Sequence, residues 1–157
     1  MEWEQELART LQKEQELLEG LDDCAQQKTD LLAHGKVEEL DRLLGREQPL
    51  TLELQSEEAR RMDILRRCGL GALTLRQTAE RAGAAYRPLL LERHRVLSEL
   101  AGRIRGRNAL NARLTRARLE LYGKLRALHA ARTMPGAYGR SGAASPGYSS
   151  GMINRKI

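Results

Sequence analysis

The chain has no phenylalanine, one tryptophan and four tyrosines among 157 residues. Compact cores draw much of their buried area from aromatic rings, so so few rings argue against an ordinary globular core. Cysteine is nearly absent as well. Cys24 and Cys68, with 43 residues between them, match no metal or redox spacing and are expected to be small packing residues in a reducing compartment. No apolar run approaches the roughly 18 residues of a membrane span. The opening MEWEQELART places Glu2, Glu4 and Glu6 where a secretory signal needs a basic start. The expected location is therefore cytoplasmic, with no stable membrane insertion. His34, His94 and His129 lie far apart, with no Cys or carboxylate at metal-ligand spacing. No strand pattern or strand-linked Gly-rich loop occurs, and the tail serines have no partner base. These absences lead to an expectation of no catalytic site, no metal and no cofactor.

What is present is leucine, alanine and charge, the composition of long helices sharing a thin seam. Charged residues make up 31% of the chain, and the net charge is +6. The two halves differ sharply. Residues 1–58 hold 16 acidic and 6 basic side chains, whereas residues 59–157 hold 5 acidic and 21 basic. Either an acidic arm folds against a basic one, or the basic half seeks an external polyanion. The first needs no partner and is preferred.

Periodicity divides residues 1–134 into helices at about 3–33, 37–67, 75–82 and 87–132, followed by a tail over 135–157. In the first, Leu11, Leu18, Ala25 and Leu32 recur every seven residues, with Leu7 and Leu21 on the neighbouring row. Gly35 reads as a left-handed cap, and a link this short sends the second helix back antiparallel. That helix carries Val37, Leu40, Leu43, Leu44, Leu50, Leu54, Ile64 and Leu65 on its stripe, with a kink expected at Pro49. After GLGAL, Thr74 and Gln77 form a capping box for a short helix. Pro88 suits the first turn of the last helix.

The last helix would be about 65–70 Å long at 1.5 Å per residue. Leu90, Leu97, Ile104, Asn111, Arg118 and Leu125 form one heptad row, beside Leu100, Leu114, Leu121 and Leu128. The fold class is thus all-α: an elongated antiparallel hairpin or three-long-helix coiled-coil bundle with a short connecting helix. The Gly- and Ser-rich tail cannot bury enough surface to offset its ordering entropy and is expected to be disordered in isolation. Tyr138, Tyr148, Met152, Ile153 and Ile157 are its apolar anchors.

Arg103, Arg105, Arg107, Arg113, Arg116 and Arg118 scatter around the last helix, with no interleaved aromatic for base stacking. Nucleic acid is not the expected partner. Asn108 and Asn111 stand out. Asn111 falls on the apolar row, where a polar side chain fixes register; direct contact with a partner is the other reading.

The order of these features resembles the FlgN-type flagellar export chaperones. The matching elements are REQPLTLELQSEEARR in the second helix, the Gly-Leu-Gly break after Cys68 and the capped helix at Thr74. RNALNARLTRARLELYGKL in the last helix, the Tyr138-Gly139 element with Gly142, and the terminal NRKI complete the likeness. The resemblance implies a chaperone for hook-associated proteins of the FlgK/FlgL type. It would cover their C-terminal helices, prevent premature assembly and deliver them to the export gate. By helix-in-groove recognition, Leu110, Leu114, Leu121, Leu125 and Leu128 are the candidate substrate-binding residues; packing within the bundle is the competing role. Tyr138 and Gly139 would dock a gate subunit of the FlhA type. A structural coiled-coil scaffold is the alternative function, and monomer and homodimer both stay open.

Overall fold

A computed structural model describes residues 2–132. Three long helices and one short one make up the fold: α1 (Glu2–His34), α2 (Val37–Arg67), α3 (Leu75–Arg81) and α4 (Arg87–Arg132). The expected tail, residues 135–157, lies outside the described residues.

Helix α1 is the central element, because both α2 and α4 pack along it. Its pairing with α2 is antiparallel: Glu6 meets Arg67, Glu14 meets Arg61, and Lys28 meets Glu47. Its pairing with α4 is parallel: Glu4 meets Gly83 at the entry to α4, Asp22 meets Arg107, and Ala25 meets Asn111. Antiparallel α2 returns the chain to the start of α1, and α3 crosses there, which is what allows α4 to run alongside α1 in the same direction.

The apolar rows form the core. Leu7, Leu11, Leu18 and Leu21 of α1 meet Leu54, Ile64 and Leu65 of α2 and Leu90, Leu97, Leu100 and Ile104 of α4. Trp3 and Tyr86 pack against its edge, half-buried. Each fully buried leucine contributes about 1.5–3 kcal/mol, so a seam of leucines substitutes for aromatic bulk. Gly20 has a packing role. A Cβ there would lie 3.2 Å from Leu50 Cδ1, so its absence allows α2 to approach closely.

Local chemistry sets the turns. Gly35 and Gly69 both adopt positive φ, at 68° and 70°. At the end of α2, Leu70 N–H donates to the Leu65 carbonyl at 2.8 Å and Gly69 N–H to Arg66 at 3.1 Å. This double bond pattern closes a helix with a left-handed glycine. Thr74 and Gln77 form the reciprocal capping box: Gln77 N–H donates to Thr74 Oγ1 at 3.2 Å, and Thr74 N–H to Gln77 Oε1 at 2.9 Å.

Helix α2 runs through Pro49 without interruption, as a stripe that resumes beyond the proline requires. The residue four back is Gly45, which is exposed, so the carbonyl deprived of its partner faces water and the helix tolerates the proline. Cys24 is buried as expected, but Cys68 is exposed at the α2 C-cap and is not a packing residue.

The acidic α1 is also where the charge asymmetry is partly resolved. Asp22 lies 2.9 Å from Arg107 and 3.7 Å from Arg103, and Glu6 reaches Arg60 and Arg67 of α2. The exposed Glu6 pairs each add only about 0–1 kcal/mol, so they guide alignment more than they supply stability.

Candidate functional site

The α1–α4 seam is held in register by polar side chains at its far end. Asn111 is buried; its Nδ2 donates to the Ala25 carbonyl at 3.0 Å, and its Oδ1 accepts from Thr29 Oγ1 at 2.6 Å. This places Asn111 in the register role rather than on a surface open to a partner. Asn108 is half-buried. One heptad later, Arg118 lies across the end of α1. Its Nε donates to the Leu32 carbonyl and its Nη2 to the Ala33 carbonyl at 2.7 Å, while Lys36 N–H takes Leu31 at 3.1 Å. The last carbonyls of α1, which carry the negative end of its dipole, are thus met by a cation from another helix. A Cβ on Gly35 would come within 2.7 Å of Arg118 Nη1, so the left-handed glycine also clears space for the guanidinium.

Arg118→Ala removes these charge-assisted bonds. Urea unfolding should show a loss of about 1–2 kcal/mol, with an unchanged slope. A stability equal to the parent would mean that water replaces the guanidinium at no cost.

Beyond Arg118 the bundle stops and α4 does not. The α1–α4 contacts keep a sequence separation of 85 or 86 residues from Asp22–Arg107 to Leu32–Arg118. With α1 ending at His34, no α1 backbone lies beside α4 past about residue 120, and α2 starts at the same level with Val37. From Leu119 to Arg132 every residue of α4 is exposed. Leu121, Leu125 and Leu128 are 53%, 51% and 61% exposed, and Leu119 and Tyr122 are exposed on other faces of the same segment. Leu110 is exposed too, and Leu114 is half-buried. The competing role of packing inside the bundle is therefore not what Leu121, Leu125 and Leu128 do.

The five leucines share one side of the helix. At about 100° per residue, positions 110, 114, 121, 125 and 128 fall within roughly 60° of arc. This stripe continues the seam that buries Leu97, Leu100 and Ile104, with the partner helices missing. Val37, exposed at the same end of the bundle, lies at the level where the stripe emerges. Such a surface can dock an amphipathic helix. Among the described residues no group of three or more His, Cys, Asp or Glu could hold a metal ion, and no helix is long and apolar enough to cross a membrane.

Periodicity found the leucine stripe but not the exposed Leu119 and Tyr122, and it did not foresee that Arg118 closes α1. A polar residue on an apolar row was the only available sign. Tyr138 and Gly139 lie outside the described residues.

The family model described as FlgN protein matches residues 1–146 of the chain. No match was found among curated proteins or among solved structures.

Proposed function

The chain belongs to the FlgN family of flagellar export chaperones, and from that premise we propose that its projecting α4 receives the C-terminal helices of hook-associated proteins of the FlgK/FlgL type. The chaperone keeps those helices from assembling early and hands them, in the cytoplasm, to a gate subunit of the FlhA type. It acts by binding alone and catalyses no reaction. The observation that carries the reading is the exposure of Leu121, Leu125 and Leu128 on a helix that outruns its neighbours. Monomeric proteins seldom leave such a contiguous apolar surface without a partner for it. A substrate helix laid along it gains the burial that α1 provides to the first part of α4, the helix-in-groove mode of recognition.

Tyr138 and Gly139 dock the gate. They follow the stripe closely in sequence, so substrate occupancy and gate docking are coupled when ordering one segment lowers the entropic cost of ordering the next. Titration calorimetry of the full chain against C-terminal helical peptides of hook-associated proteins should give saturable binding at a micromolar dissociation constant, about −8 kcal/mol. Absence of heat and of saturation would reject the assignment. Tyr138→Ala should leave that affinity unchanged and weaken gate binding roughly tenfold, about 1.4 kcal/mol. Full gate affinity in this variant would remove Tyr138 from the docking site.

A further inference from the structure

The exposed stripe has a charge signature that its leucines do not convey. Between residues 110 and 132, Glu120 is the sole acidic residue. Lys124 and Arg113 flank one edge of the stripe and Arg132 lies along it, while Arg116 and Arg126 face away; all five are exposed and make no ion pair among the described residues. We propose that the occupant of this face is an acidic amphipathic helix from another protein, about 14 residues long, laid end to end with α1 so that it extends the bundle. This rests on the docking role given to α4 above and adds the sign of the partner's charge.

The fold contains its own precedent. Along its first part, α4 already accepts an acidic helix: α1 brings leucines to the seam and Asp22 to Arg103 and Arg107. Past Arg118 the leucines recur with Lys124 on their flank and Arg132 along their row, and the acidic helix is missing. The length follows from the geometry. Leu119 to Arg132, the part of α4 beyond the end of α1, is 14 residues, about 21 Å at 1.5 Å per residue.

Charge also rules out the occupants that this chain itself could supply. A second copy's overhang is equally basic and would oppose like charge to like. Residues 135–157 contain Arg140, Arg155 and Lys156 and no acidic side chain, so they carry the wrong sign. The acidic helices of a second copy have the wrong surface, because the leucine rows of α1 are already buried against α2 and α4.

The test uses the full chain and two synthetic peptides of identical length and apolar face, one flanked by glutamate and one by lysine. Fluorescence anisotropy at about 50 mM NaCl should show the glutamate peptide binding at least tenfold more tightly, with the gap closing at about 500 mM as screening shortens the reach of the charges. Combining Arg113→Glu, Lys124→Glu and Arg132→Glu should reverse the preference; all three positions are exposed, and circular dichroism checks that the helices persist. Equal binding of both peptides, each abolished by Leu121→Asp with Leu125→Asp, would overturn the charge proposal while sparing the docking role. Tight binding of the glutamate peptide that ignores those leucine substitutions would overturn the docking role itself, and the end-to-end placement with it.

Discussion

Replacing Leu121 and Leu125 together with aspartate should weaken binding of a substrate helix by more than about 100-fold, with a melting temperature within about 2 °C of the parent. The two halves of this expectation have separate physical origins. Burial of a leucine side chain against a partner is worth about 1.5–3 kcal/mol, and a buried aspartate adds a desolvation cost, so two substitutions remove at least about 3 kcal/mol from the complex. In the free protein both side chains face water, and surface substitutions usually change stability by no more than about 0.5 kcal/mol. The same change at Leu97, which is fully buried between α1 and α4, should instead prevent folding. Calorimetry paired with thermal melts separates the cases. A double variant that binds as well as the parent would show that the stripe is not the substrate surface.

The second large effect lies at the other interface. Between α1 and α2, Glu14 and Arg61 are both buried, with Arg61 Nε 3.1 Å from Glu14 Oε1. The N–H is not aimed at that oxygen, so the pair is ionic rather than hydrogen-bonded. Glu57 is buried beside them and reaches Lys13 at 3.4 Å. Burial pushes the Glu14 carboxyl up from 4.5 to about 7; Arg61 opposes the rise, and Glu58 and Glu57 add to it. Arg61→Met leaves the Glu14 carboxylate without its cation. Breaking a buried pair by removing one partner costs about 3–5 kcal/mol, and that is the loss expected at pH 8.

The pH dependence has a definite sign. With a folded value near 7 and an unfolded value of 4.5, Glu14 binds more protons in the folded state across that window. Its contribution to stability is therefore full below about pH 4.5 and is lost as pH rises through about 7. A protonated Glu14 no longer needs Arg61, so the cost of Arg61→Met should fall to less than about half at pH 5. Urea unfolding at pH 8 and pH 5 measures both. An equal loss at the two values would mean that Arg61 acts through its apolar stem alone.

Much of this arrangement was readable in advance because it depends on local rules. The seven-residue leucine spacing of α1 announced a seam, Thr74 and Gln77 announced a helix start, and Gly35 announced a helix end. Each depends only on residues within a turn or two. Asn111 was recognisable as an anomaly on an apolar row, but its partners, Ala25 and Thr29, lie more than 80 residues away and no periodicity names them. The Glu14–Arg61 layer was invisible for the same reason. Its members look like ordinary charged residues on the flank of a helix, and only the approach of α2 buries them.

The amino-acid order by itself determined the helical class, the places where the chain turns, and which side of each helix is apolar. These follow from short-range hydrogen bonding and from a 3.6-residue repeat. Whether a given leucine is core or surface was not decided there, because Leu100, Leu121 and Leu128 share one heptad row and look alike in sequence although the first is buried and the others are exposed. The register of α1 against α4 decided it. Arg118 closes α1, the partner helices end, and the seam passes into solvent, so identical side chains stabilise the fold on one side of that point and remain available for recognition on the other.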